Sequence, residues 1–276
     1  LILISATIIL PLLHIISGSF SDPMQLLTGN VSFWPKGFTT SMYEKVLKDA
    51  SIWKGYLNTI LYTVLGTLIS VTLTACAAYP LSRKDLFGRN IFISLFIFTM
   101  FFNGGMIPTL LLYRNMNLTN SFWVYVIPGM ISAFNVLVLR TYMEGLPSAL
   151  EESAMIDGAN DFTIFTRIIS PLCKPVYATV ALFVAVGQWN SWFDAMLYNR
   201  MNTQYTTLQY ELMKLLSSVM QQSGSATTGG NTATAAVTPV TVRSAATVVT
   251  MLPIILLYPF LQRYFVSGMT IGSVKE

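Results

Sequence analysis

The chain has 276 residues, of which 53% are hydrophobic and only 10% charged, far below the roughly 25% charged of a soluble domain. This excludes a soluble globular protein. The net charge of +4 is spread as scattered Lys and Arg along connecting segments, with no aromatic-interleaved basic patch, which excludes a nucleic-acid partner.

Uncharged runs cover residues 1–21, 55–82, 90–113, 115–139, 175–193 and 244–262, each about long enough to cross a bilayer core of roughly 30 Å. They predict an all-α polytopic membrane protein, one transmembrane domain over residues 1–276 with spans near 1–17, 55–81, 91–112, 121–140, 175–196 and 244–262. Residues 1–16 can also be read as a signal-peptide core, but no clear small-x-small cleavage site follows, so a first span is expected. Because Leu1 is not a methionine, a segment preceding it is expected. His14, the only histidine, sits in the apolar run and is expected to be structural.

The loop 18–54 is polar, with the turn Trp34-Pro35-Lys36-Gly37 and helical spacing near Met42–Leu47. It reads either as a surface connection or as part of a docking surface for an external partner. The second span carries Cys76, far in sequence from Cys173, so no disulfide is expected. The short loop 82–89 holds Arg83, Lys84 and Arg89, whereas the loop after the third span offers only Arg114. Short loops rich in Lys and Arg stay cytoplasmic, which places 82–89 inside, 113–121 outside and 141–174 inside. Lys36, Lys45, Lys48 and Lys54, in the loop then assigned outside, run against that bias.

The third span contains Asn103-Gly104-Gly105 and Pro108, a run that weakens a helix. It reads as a break lining a pathway or as a glycine pair for close helix packing. Asn135, after Pro128-Gly129 in the fourth span, is a lone amide that must face a helix or a pathway rather than lipid.

Residues Pro147–Pro175 form a polar stretch with four of the twelve acidic residues. Ser148 and Glu151 have capping-box spacing for a helix from Ala149 to Asp157, and Gly158 is placed to end it in the left-handed conformation. Asn160 or Asp161 can cap a second helix with Phe162, Phe165 and Ile169 on one apolar face, closed by Pro171 and Pro175.

This stretch resembles the EAA signature of the membrane subunits of binding-protein-dependent ABC importers, written E-A-A-x3-G-x9-I-x-L-P. Here it reads Glu152-Ser153-Ala154, three residues, Gly158, nine residues, Ile168, one residue, Ser170-Pro171. The spacing matches throughout, while Ser153 and Ser170 depart from the pattern's Ala and Leu. Asp157-Gly158-Ala159 and Lys174-Pro175 look most like the carbohydrate-uptake branch, the maltose and oligosaccharide type. The resemblance implies the type I importer permease fold in a bacterial inner membrane. It makes Glu152, Ala154, Asp157, Gly158, Ile168 and Pro171 the contacts to a cytoplasmic ATPase. It also implies a second homologous permease subunit, two ATPase subunits, an extracytoplasmic solute-binding protein and an oligosaccharide substrate.

The fifth span ends in Gln188-Trp189-Asn190-Ser191-Trp192-Phe193-Asp194. Amides and a carboxylate can bond sugar hydroxyls, and indole can stack on a pyranose ring. Trp is also enriched where helices meet headgroups, so Trp189 and Trp192 read either way. Gln188, Asn190 and Asp194, with Asn103 and Asn135, are the candidate substrate-path residues. The external segment 197–243 has helical spacing over Tyr205–Leu216, then a Ser/Thr/Gly/Ala-rich stretch. That stretch reads as a disordered loop or, by the resemblance, as a probe entering the binding protein. The last span, with Pro253 and Pro259, is expected to kink, and a short cytoplasmic tail follows.

There is no G-x4-G-K-[ST] phosphate loop, no H-E-x-x-H and no G-x-S-x-G, so no cofactor is expected in this chain and Mg-ATP is assigned to the partner ATPase. A permease for another small polar solute is the nearest alternative. An ion-driven secondary transporter is a further one, disfavoured because no run carries a charge at its centre. A membrane-embedded enzyme lacks its nucleophile and metal ligands.

Overall fold

A computed structural model of the chain describes residues 2–225 and 242–256, and among these residues it contains helices and turns but no strand. Two units are described separately: residues 2–59 with 191–225 and 242–256, and residues 60–190. Helix α4, Ala50–Ser82, carries the chain from the first into the second.

In the first unit, α1 (Ile2–Ser19) leads into α2 (Pro23–Leu27), where the Asp22 carboxylate accepts from the Met24 amide at 2.8 Å and Pro23 supplies the preset first turn. The helical spacing near Met42 is realised as α3 (Ser41–Lys48). Phe20 stacks on Phe38 and Tyr43, with ring centroids 5.7 and 4.8 Å away, so the loop 18–54 has a packed core of its own. His14 Nδ1 lies 3.1 Å from the Ser32 carbonyl, a contact that ties α1 to this loop.

Helix α4 rises about 50 Å over its 33 residues, more than the roughly 30 Å of a bilayer core, so its ends stand clear of hydrocarbon. The expected third span is two helices, α5 (Arg89–Phe101) and α6 (Met106–Asn115), bent by 112°. The Gly105 φ of +90° and the Asn103 carboxamide accepting from the Gly105 amide at 2.9 Å hold the turn open. The expected fourth span is also interrupted. A 3-10 turn, Phe122–Tyr125, precedes irregular chain around Pro128-Gly129, and only Ala133–Glu144 is helical (α7).

Within the polar stretch, α8 (Ala149–Ile156) is followed by α9 (Asp161–Leu172), which meets α10 (Lys174–Trp189) at a bend of 77°. Pro171 therefore lies inside α9, and Pro175 opens α10. In the first unit follow α11 (Phe193–Tyr198), α12 (Leu208–Ser225) and α13 (Val242–Leu256), which contains Pro253. Helix α12 starts later than the sequence pattern, after a 3-10 turn at Thr203–Tyr205. It buries Leu208, Leu212 and Glu211, the last 2.5 Å from Lys214 Nζ. The centre of the low-complexity stretch, Pro259 and the tail lie outside the described residues.

Among the described residues, two helices are long and apolar enough to cross a membrane, Ile2–Ser19 and Ala50–Ser82, or four with the bent pairs Arg89–Asn115 and Asp161–Trp189, and Val242–Leu256 is a shorter apolar one.

Candidate functional site

The polar stretch is built onto the ends of the helices around it. Ala75, Ala78, Tyr79 and Leu81 of α4, Val136, Leu139 and Met143 of α7, Ala154 of α8, Ile164 and Ile169 of α9, Cys173 and Val176 of α10 share one core. Each helix of the stretch thus has an inner side given to packing. Both cysteines are free, Cys76 exposed and Cys173 buried.

The expected capping box is not formed. Ser148 already has helical dihedrals (φ −61°, ψ −29°) and makes no side-chain cap, because a capping side chain needs the extended backbone of a true cap residue. Glu151 turns away instead and accepts from Arg83 Nη1 at 2.7 Å. Burial raises the Glu151 pKa, against the opposing pull of the Arg83 guanidinium. The second expected cap is present: Asn160 Oδ1 accepts from the Thr163 amide at 2.8 Å. Between them Gly158 sits at φ +81° with nothing within 4 Å of where a Cβ would stand. The requirement for glycine is therefore one of backbone conformation, not of space.

The apolar face expected for Phe162, Phe165 and Ile169 is re-registered. Phe165–Ile169 is a π-helical turn, whose extra residue shifts the face behind it. Ile164 and Ile169, five apart, become the buried pair, Phe165 packs on Tyr79 at 5.0 Å between centroids, and Phe162 is 74% exposed.

The residues expected to meet a partner accordingly divide. Ala154 (7% exposed) and the half-buried Ile168 face the protein's own core. Glu152, Asp157 and Pro171 point outward, and so do Met155, Ile156 (87% exposed) and Phe162.

A second group fastens the helix ends. The Leu81 carbonyl accepts from Arg89 Nε at 2.9 Å and from Arg140 Nε at 3.2 Å. The same two guanidiniums reach Glu144 Oε1, Arg140 Nη2 at 2.7 Å and Arg89 Nη2 beside it. The end of α4, the start of α5 and the end of α7 are closed into one polar clamp, and Arg83 adds α8. Charge-assisted bonds of this kind are the strong ones. The sequence reading used these arginines only for their sign and missed Glu144, because their partners lie 55 and 59 residues away.

The candidate substrate-path residues are scattered. Asn103 is exposed at the α5–α6 break, and Asn135 is 6% exposed on α7. Gln188 is held in place: its Nε2 donates to the Tyr125 carbonyl at 3.0 Å, and its own carbonyl accepts from the Tyr62 hydroxyl at 2.8 Å. Trp189 is buried, and the exposed Asn190 donates back to the Val186 carbonyl at 2.9 Å. Trp192 and Asp194 belong to the other unit. There Asp194 accepts from Ser191 Oγ at 2.8 Å, and Trp192 meets the Phe193 ring edge-on at 5.9 Å.

Residues 50–271 match the family described as binding-protein-dependent transport system inner membrane component. The chain belongs to that family. It is 40% identical over 273 residues to protein LplC of Bacillus subtilis (strain 168), covering 99% of this chain and 91% of that one. It is 37% identical over 277 residues to the polygalacturonan/rhamnogalacturonan transport system permease protein YtcP of the same organism, covering 100% and 95%. A solved structure, that of a bacterial ABC transporter involved in the import of the acidic polysaccharide alginate, superposes with a TM-score of 0.83 at 33% identity, over 95% of this chain and 92% of that one. The protein is an inner-membrane permease component of a binding-protein-dependent transport system.

Proposed function

We propose that the chain forms half of the translocation pathway of an ABC importer for an acidic oligosaccharide, paired with a second permease, fed by an extracytoplasmic binding protein and driven by two cytoplasmic ATPase subunits. The observation that carries the coupling part is the two-sidedness of residues 148–171. One side is packed into the core, and the other presents Glu152, Met155, Ile156 and Phe162. A rigidly mounted helix with exposed apolar and acidic side chains fits a cleft with an apolar floor and a basic rim, which is the surface an ATPase subunit would offer. ATP-driven closure then acts on α8 and α9, and the Leu81–Glu144 clamp passes the displacement to α4, α5 and α7. Such coupling is a differential contact between two states.

The acidic substrate class is supported by the similar proteins. Of these, one is an ABC transporter involved in the import of alginate and another a polygalacturonan/rhamnogalacturonan transport system permease. The loop assigned outside carries Lys36, Lys45, Lys48 and Lys54 against Asp22, Glu44 and Asp49, with Lys48 paired to Glu44, so it is close to neutral and adds little to this reading. Reconstituted with its partners in proteoliposomes, the complex should hydrolyse ATP in proportion to tri-galacturonate uptake, with maltotriose as the neutral control. Glu152→Lys should abolish uptake while the chain still reaches the membrane, and normal transport by that variant would refute the coupling assignment.

A further inference from the structure

We propose that one face of α4, carrying Thr63, Thr67, Ser70 and Thr74, is a dry hydroxyl seam that opens during transport to hydrogen-bond the hydroxyls of the passing saccharide. The proposal rests on the permease reading above.

The four residues recur at i, i+4, i+7 and i+11 and so fall on one stripe of the helix. Their hydroxyl oxygens are shut off from solvent and have no hydrogen-bond partner, and Ser70 and Thr74 are fully buried. A helical Thr or Ser normally escapes this by bonding the carbonyl one turn back. Thr72 does so on this same helix, to Leu68 at 2.8 Å, and Thr141 does so on α7, to Leu137 at 2.8 Å. The seam hydroxyls leave that bond unmade. A buried hydroxyl held away from an available acceptor is unfavourable in this state and is relieved only where another acceptor or donor arrives.

The neighbourhood of the upper seam is independent support. A Cβ on Gly66, between Thr63 and Thr67, would stand 3.3 Å from Gln188 Nε2. The Gln188 side-chain amide, held by the Tyr125 carbonyl while Tyr62 holds the Gln188 backbone carbonyl, therefore stands beside the stripe. Four hydroxyls and an amide along a transmembrane face offer a polyol successive exchangeable partners without a charge, so a uronate passes without being trapped.

The test uses the complete importer in lipid nanodiscs with tri-galacturonate as the probe. Ser70→Cys and Thr74→Cys are introduced singly into a chain whose Cys76 and Cys173 are replaced by Ala. A membrane-impermeant methanethiosulfonate should modify both cysteines during ATP-driven turnover and neither in the nucleotide-free resting complex. Failure to modify either cysteine in any nucleotide state overturns the seam. A second variant, Thr67→Val with Ser70→Ala and Thr74→Val, should raise the melting temperature of the resting complex. It should also lower uptake per ATP hydrolysed about fivefold, the effect of one lost net hydrogen bond. A raised melting temperature with unchanged uptake per ATP would show the hydroxyls to be packing only. Absence of binding-protein-dependent uptake by the wild-type complex would instead sink the permease reading, whereas cysteine modification during transport of a different solute would keep the seam and reject the uronate.

Discussion

At the residue scale, the side chains that matter in the polar stretch are those whose local role was given up for a distant one. Glu151 leaves its capping position for Arg83, a residue 68 positions away. Its pKa is raised, with burial the leading cause. A carboxyl whose folded pKa lies above its unfolded value contributes stability below the unfolded pKa and loses it as pH rises through the folded one. The melting-temperature difference between wild type and Glu151→Gln should therefore shift in favour of wild type as pH falls from neutral into the carboxylate range. A difference independent of pH would mean that Glu151 titrates as in the unfolded chain. Glu144 is one carboxylate between two guanidiniums. Glu144→Ala leaves both cations half-buried and unpaired there, and should cost about 1–3 kcal/mol, read as a lowered melting temperature with a larger loss of uptake per ATP than of ATP hydrolysis.

At the element scale, the two short helices meet at Gly158 with φ +81° and open space around the missing Cβ. Gly158→Ala should cost about 1–2 kcal/mol from backbone strain alone, with Gly158→Asn milder and Gly158→Val worse, and the order should appear in both thermal stability and coupling ratio. Equal effects would indicate a steric role that the open surroundings do not support. This hinge was legible in the sequence because it depends on neighbours one to four residues away, as does the Asn160 cap. The Phe162 face was not legible. A π turn at Phe165–Ile169 adds one residue to the period, so a face projected back from the buried Ile169 with helical spacing is rotated by the time it reaches Phe162, and Ile164 is buried instead. The clamp was illegible for another reason, since its pairings arise only once α4, α5 and α7 are brought together. The hydroxyl stripe on α4 emerged only from the structure, because spacing alone does not distinguish hydroxyls bonded to their own helix from hydroxyls that are not.

At the scale of the whole molecule, the outward residues of the polar stretch contribute little to the chain's own fold, because they touch little of it. Ile156→Asp together with Phe162→Ser should leave the melting temperature of the isolated permease unchanged while releasing the ATPase during co-purification. Retention of the ATPase would move the docking surface elsewhere. Glu152, Ile156 and Phe162 then form a surface whose proposed partner role can be tested apart from stability, unlike Ala154, which is packed into the core.

The open turn between α5 and α6 bears on how the chain comes to be embedded at all. The two halves, 13 and 10 residues long, extend about 20 and 15 Å, and neither alone crosses a hydrocarbon core of roughly 30 Å. Phe101 through Met106 are all exposed, and backbone outside a helical ladder is not tolerated against lipid tails. Wherever this turn lies at membrane depth, it therefore calls for a covering protein surface or a water-filled cavity beside it.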